Sequence, residues 1–170
     1  MEKRNGTVSA IVAAIVLIGD QLSKHWAETW LRTNGEYKIW DGVLHLRYVE
    51  NRGAAFGMMQ GGKWFFLAIT GIACAAMLYF LIKERKRLHF MMTFSIALLL
   101  SGAIGNLIDR VALGYVRDMI YVALIDFAVF NVADMAVTVG CCLLVLDLLF
   151  FKGKKYMEMM DKKPQTGENS

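Results

Sequence analysis

The sequence predicts an α-helical membrane protein, with four transmembrane helices, a small extracytoplasmic β element and a second outer loop. Three observations predict it. The 170-residue chain is 56% hydrophobic, with mean hydropathy +0.42 and a single proline, and several of its apolar runs reach the ~20 residues that a helix needs to cross a bilayer. Its basic residues gather at the ends of those runs rather than along one face. The polar segment between the first two runs changes period, alternating apolar and polar residues in part, as a strand does.

The elements follow in order, as one membrane-embedded domain over 1–170. Met1–Gly6 is short and basic, with Lys3 and Arg4. The first span covers about 7–26. A basic start before a short apolar run also describes a signal peptide. No small-residue cleavage site follows, however, and the run continues through Asp20, Lys24 and Trp26, so a retained helix is expected. Asp20 and Lys24 are four apart and can pair on one face. At 1.5 Å per residue, Asp20 lies ~18 Å along the helix from Val8, in the outer half of the bilayer. Residues 34–62 read as a β cradle, with turns at Asn34-Gly35 and Asp41-Gly42 and a strand near Val43–Val49. The second span is about 63–82, with Trp64 and Tyr79 suited to the two interfaces. The third is about 90–109. Residues 110–130 form the second outer loop, with an apolar patch at Ile120–Ile125. The fourth span is about 131–151, with Asn131 as N-cap and Asp134 near the positive end of the helix. A polar, disordered tail follows over about 155–170.

The net charge of +4 says less than its distribution. Lys83, Arg85, Lys86 and Arg87 lie between the second and third runs, and Lys152, Lys154 and Lys155 follow the fourth. Cytoplasmic loops concentrate Lys and Arg, so both termini are expected in the cytoplasm, and a nucleic-acid patch is not. The first outer loop also holds Lys38, Arg47, Arg52 and Lys63, so orientation rests on the dense clusters. Cys74, Cys141 and Cys142 all lie in apolar runs. Without CxxC or Cys/His spacing they suggest neither a disulfide framework nor a metal site.

This topology brings the polar groups together. The first and third spans end outside and the fourth begins there, so Asp20, Asn51, Asn106, Asp109, Asp118, Asn131 and Asp134 fall near one outer surface. The chain between 102 and 134 repeats a pattern, Asn106-Leu-Ile-Asp109 and Asn131-Val-Ala-Asp134, and residues three apart on a helix share a face. Arg110 joins the first of these faces. A carboxylate at the bilayer centre costs roughly 2.5–3.5 kcal/mol, which makes such acids functional candidates. Asp126 reads as solvated surface, and Asp147 as a snorkelling or helix-pairing residue near the inner interface. His25, His45 and His89 are scattered, and no serine has an evident base, so nucleophilic catalysis is not indicated. Three schemes remain. A carboxylate-bound Mg²⁺ would suit a lipid-headgroup transferase. A proton channel would spread its acids through the membrane depth, whereas these cluster at one surface. A pair of aspartates sharing one proton would hydrolyse peptide bonds.

The chain resembles the lipoprotein signal peptidases (signal peptidase II), bacterial membrane aspartic peptidases. The matching segments are Asp20-Gln-Leu-Ser-Lys24, Asn51-Arg-Gly-Ala-Ala-Phe-Gly57, Gly102-Ala-Ile-Gly-Asn-Leu-Ile-Asp-Arg110, Val116-Arg-Asp118 and Phe130-Asn-Val-Ala-Asp134. They occur in the family's order and span nearly all four helices. The resemblance implies that Asp118 and Asp134 are the catalytic dyad, with Asp20, Lys24, Asn51, Gly53, Asn106, Asp109, Arg110 and Asn131 binding substrate or supporting the site. It implies cleavage of diacylglyceryl-modified prolipoproteins before the lipidated cysteine, with no metal or cofactor, by a monomer in the bacterial cell (inner) membrane with its active site at the outer face. It also implies sensitivity to globomycin. The expected partners are the lipid-modified prolipoprotein and membrane lipids, and no nucleic acid. The chain departs from the family pattern at Arg117 and Met119, where valine and phenylalanine are usual beside the aspartate. It departs again at Phe127–Phe130, which lacks a common proline. Arg117 would lower the pKa of Asp118 if it folded toward it.

Overall fold

The structure is a computed structural model that describes residues 2–53 and 63–151. Phe56, Gly57 and the rest of segment 54–62, and the tail beyond 151, lie outside the described residues. Helix α1 runs over Glu2–Trp26 and continues through a π-helical turn, Ala27–Leu31, into a last turn, Arg32–Asn34. It therefore extends past the expected end at Trp26. No proline or glycine interrupts the segment, and the Thr29, Thr33 and Asn34 side chains donate back to helix carbonyls. Gly35 stops it with a φ of 83°, a backbone conformation that costs glycine no Cβ clash. The other helices are α2 (Lys63–Glu84), α3 (Phe90–Ala112) and α4 (Val132–Phe150). All four are long and apolar enough to cross a membrane. Residues such as Ile72, 70% exposed, and Trp64, 79% exposed, are side chains that a bilayer would cover. The chain is thus a multi-pass membrane protein.

Helix α3 is central, with α1, α2 and α4 all packed on it, whereas α1 and α2 barely touch. Small residues set the close approaches. A Cβ on Gly102 would collide with the Ala133 carbonyl oxygen and lie 2.8 Å from Val137. One on Gly140 would lie 2.9 Å from the Ser95 carbonyl. Such small-residue seams let membrane helices gain dispersion contact, since lipid supplies no hydrophobic drive between them. At one end of the bundle, Leu88, Met92 and Ile96 cluster with Met77, Phe80, Leu81, Leu144 and Leu148. There Asp147 is fully buried and His89 Nε2 meets it at 2.8 Å, so this acid pairs helices and does not snorkel.

At the other end sits a three-stranded antiparallel sheet, ordered β1 (Tyr37–Trp40), β2 (Leu44–Asn51), β3 (Val116–Val122). The first two strands lie where a β element was expected, and Gly42, with a φ of 73°, makes their turn. The third corrects the reading of 110–130 as a loop. Its Val, Met, Ile and Tyr residues form the third strand, paired to β2 with Val49 opposite Asp118 and Asn51 opposite Val116. The sheet is anchored on α1, where Ala27 and Leu31 pack with Met119, Leu46, Tyr48 and Ile120.

Candidate active site

Asp118 and Asp134 arrive on different elements. Asp118 is on β3 and 2% exposed. Asp134 is in the first turn of α4. Beyond β3 the chain turns back, and Phe130 pairs with Ile120 through hydrogen bonds of 2.8 and 3.0 Å. That return places Asn131, fully buried, beside Asp118. Asn131 caps α4: its side-chain oxygen accepts from the Asp134 backbone N–H at 3.0 Å, and the Asp134 carboxylate accepts from the Asn131 backbone N–H at 3.1 Å. Reciprocal bonds of this kind satisfy two otherwise unpaired amides of the first turn. The remaining donor of Asn131, Nδ2, reaches Asp118 Oδ1 at 2.6 Å. One residue therefore caps the helix and binds Asp118 through its side-chain amide and holds the Asp134 carboxylate through its backbone N–H.

Each carboxylate has a second amide. Asn51 Nδ2 donates to Asp118 Oδ2 at 3.0 Å, and Asn106 Nδ2 donates to Asp134 Oδ1 at 2.7 Å. Both acids line a cavity of about 540 Å³, which Asn51, Asn106 and Arg110 also line. Much of the remaining lining is apolar, with Phe127, Phe130, Met135, Val137 and Val139 among others. Burial first, then the neighbouring Asp134 charge, push Asp118 up to about 7, against the lowering effect of its two asparagine hydrogen bonds. Desolvation and a nearby like charge both disfavour the ionised form, so near neutral pH this acid can hold a proton.

The other predicted residues form a network behind these two carboxylates, buried at Asp20, Lys24 and Asp109. Lys24, fully buried, contacts Asp20 at 2.9 Å and Asp109 at 3.7 Å and donates to Asn106 Oδ1 at 2.9 Å. Its charge thereby fixes the amide that holds Asp134. Asp20 accepts from the Ala133 backbone N–H at 2.9 Å, tying α1 to the start of α4. Gly105 leaves room for that carboxylate: a Cβ there would lie 2.6 Å from Asp20 Oδ2. Gly53 donates its N–H to Asn51 Oδ1 at 3.0 Å, which orients the Asn51 amide toward Asp118. Arg110 reaches the Gly53 carbonyl at 3.4 Å and sits 5.2 Å over the Phe66 ring of α2. Asp109 is fully buried but takes its hydrogen bonds away from the cavity. Asp126 lies apart from the site, accepting from Tyr121 Oη at 2.6 Å in an exposed turn.

Arg117 does not fold toward Asp118. Successive strand residues face opposite sides, so its guanidinium lies on the other face of β3, bonded to Asp109 at 2.8 and 3.1 Å and to Glu28 at 2.9 Å. Gln21 and Glu28 were not singled out from the sequence. Gln21 accepts from Arg117 at 3.2 Å and donates to the Gly105 carbonyl at 3.1 Å. A signal existed: Asp20, Lys24 and Glu28 are spaced by four, so a charged stripe runs up one face of α1.

Comparison with known proteins agrees with this architecture. Residues 12–150 match the family model described as Signal peptidase (SPase) II. A protein named lipoprotein signal peptidase from Streptococcus thermophilus (strain CNRZ 1066) is 46% identical over 142 residues, 83% of this chain and 92% of that one. One of the same name from Clostridioides difficile (strain 630) is 44% identical over 145 residues, 85% and 97% of the two chains. Two solved structures, each described as a bacterial membrane enzyme, superpose with TM-scores of 0.77 and 0.75 at 33% and 35% identity. They cover 95% and 85% of this chain and 95% and 94% of theirs. The chain belongs to the signal peptidase II family, and is a membrane hydrolase of the lipoprotein signal peptidase kind.

Proposed function

We propose that this chain is an aspartic endopeptidase that removes signal peptides from diacylglyceryl-modified prolipoproteins, cutting before the lipidated cysteine. The observation that carries the reading is the pair of carboxylates, Asp118 buried and Asp134 half-buried, that line one cavity and are both hydrogen-bonded by Asn131. Asp134 acts as the ionised member and takes a proton from a water that attacks the scissile carbonyl carbon. Asp118 acts as the protonated member and donates to the carbonyl oxygen, giving a tetrahedral diol. Asp134 then returns its proton to the leaving nitrogen as the C–N bond breaks, and Asp118 recovers its proton from the diol. Asn51, Asn106 and Asn131 keep the two acids apart in role by fixed hydrogen bonds, with no metal or cofactor. The apolar wall at Phe127–Val139 suits the diacylglyceryl chains, so the reaction takes place beside the lipid anchor.

The dense basic clusters favour both termini in the cytoplasm, which supports the dyad at the outer face of the bacterial cell membrane. Globomycin, on this reading, fills the same cavity, and the working unit is a monomer. The test is single-turnover cleavage of a lipid-modified precursor by purified protein, with and without a chelator. Asp118→Asn and Asp134→Asn should each abolish cleavage while the protein stays folded, because an amide cannot take or give the proton. Near-normal turnover by Asp118→Asn, or loss of activity on chelation, would overturn the scheme.

A further inference from the structure

A second cavity lies at the end of the bundle away from the dyad. It is larger, about 970 Å³, at the upper end of the ~300–1,000 Å³ usual for small-molecule sites. It exists because α1 and α2 both pack on α3 but barely on each other. Its walls are apolar or small, with Ala10 and Ala14 from α1, Leu81 from α2 and Ala97 from α3. Two of the hydroxyls there are turned into their own helix: Thr93 donates to the His89 carbonyl at 3.0 Å and Ser101 to the Leu98 carbonyl at 2.9 Å. The mouth is different. Arg85 and Lys86 line it, both exposed. The nearest acid in sequence, Glu84, is buried and already meets Arg87 at 3.4 Å. Among the described residues neither Arg85 nor Lys86 has an ion-pair partner.

We infer that this groove binds one anionic phospholipid of the inner leaflet, its acyl chains between α1, α2 and α3 and its phosphate on Arg85 and Lys86. The leaflet assignment rests on the orientation given above. Basic pockets between membrane helices on the cytoplasmic side favour anionic headgroups, and an apolar groove beneath supplies what a free phosphate would not need. Charge decides against the other long apolar occupant at hand. A signal peptide begins with a positively charged segment before its apolar run, and in this groove that segment would meet Arg85 and Lys86. The groove therefore separates lipid from substrate by charge as well as by distance from the dyad.

The experiment is native mass spectrometry of the full chain in detergent, titrated with phosphatidylglycerol or phosphatidylcholine of identical chains. The expected result is a one-to-one phosphatidylglycerol adduct, preferred by about tenfold. It should fall to parity in Arg85→Gln/Lys86→Gln and be lost in Ala14→Trp, which fills the groove from an exposed position. Glycerol phosphate without chains should not compete. Unchanged melting temperature and cleavage rate in these variants would show that folding and the dyad are intact, so that failure here is separate from failure of the peptidase reading. Equal binding of the two lipids, or an adduct indifferent to both variants, would mean annular lipid only and overturn the inference. A photo-crosslinker at Ala14 that captures the signal peptide, or a second copy of the chain, would overturn it too.

Discussion

Removing the guanidinium of Arg117 tests whether the buried charge network behind the dyad carries stability or chemistry. Arg117→Met keeps an unbranched apolar stem and deletes the guanidinium's bonds to Asp109, Glu28 and Gln21. Asp109 stays fully buried. It retains the backbone N–H of residue 117 at 2.9 Å and Lys24 at 3.7 Å. Breaking a buried ion pair by removing one partner costs ~3–5 kcal/mol. The retained contacts put this case at the lower end, about 3 kcal/mol. For a chain of this size, each kcal/mol moves Tm by ~2–4 °C, giving a fall of about 6–12 °C. The assay is thermal unfolding in detergent alongside single-turnover cleavage below the transition. Cleavage per folded molecule should stay within about threefold of wild type, because the guanidinium lies on the opposite face of β3 from Asp118. Arg117→Met/Asp109→Leu should recover much of the lost Tm, since a well-packed apolar pair often replaces a buried ion pair without loss. A Tm change under about 2 °C in the single variant would show that desolvation already cancels the pair. A large loss of turnover at unchanged Tm would show that Arg117 acts on the dyad after all.

Four further outcomes are expected. Asp118 sits at about 7 when folded against 3.8 ordinarily, so the folded protein holds an extra proton between those values; stability should be highest on the acid side and decline as pH rises through that window, and the slope should flatten in Asp118→Asn. On the same grounds cleavage should fall above about pH 7 as the dyad loses its shared proton, measured as a pH–rate profile; a flat profile to pH 9 would refute it. Gly105→Ala places a methyl 2.6 Å from Asp20 Oδ2, so it should lower both Tm and turnover, by about 1–3 kcal/mol in stability, whereas Gly19→Ala, which meets nothing within 4 Å, should be neutral by the same melting assay. A cysteine at Arg85 should resist an impermeant thiol reagent in intact cells while one at Asp41 reacts, and the reverse pattern would invert the orientation.

Much of this was legible in the sequence because membrane helices are written in long apolar runs, whose ends fell within a few residues of α2, α3 and α4. The end of α1 was not, because Thr29, Thr33 and Asn34 are as common in turns as in last helical turns, and only their back-bonded side chains decide. Strand β3 was missed for a different reason. Val116–Val122 is buried on both faces over its first four residues, so it lacks the alternation that marks a half-exposed strand. The same burial explains Arg117: beside Asp118 in sequence it reads as that acid's partner, but the pleat sends neighbours to opposite faces. The gathering of acids and asparagines at one end followed from topology alone. Which amide holds which acid did not, because it depends on Phe130 folding back against Ile120.

Asn131 joins the helix start to the dyad, and two substitutions can part its roles. Serine at this position keeps an N-cap oxygen for the Asp134 N–H but has no amide to reach Asp118. Asn131→Ser should therefore hold stability within about 1 kcal/mol of wild type and still lower turnover, since Asp118 loses its 2.6 Å donor. Asn131→Asp also keeps the cap, and an acid near the positive end of α4 is electrostatically welcome there. It nevertheless sets a third carboxylate against Asp118 in place of a donor. Loss of that hydrogen bond and a closer like charge both favour protonated Asp118, so the alkaline limb of the pH–rate profile should move above its wild-type position. Asn131→Ala should show the stability loss of a missing cap and the turnover loss together. If Asn131→Ser cleaved at the wild-type rate, the amide would be a cap alone, and the dyad geometry would have to rest on Asn51 and Asn106. If Asn131→Asp moved the alkaline limb downward, the assignment of the shared proton to Asp118 would be wrong, because an added negative charge beside the proton-bearing acid can only hold that proton more tightly.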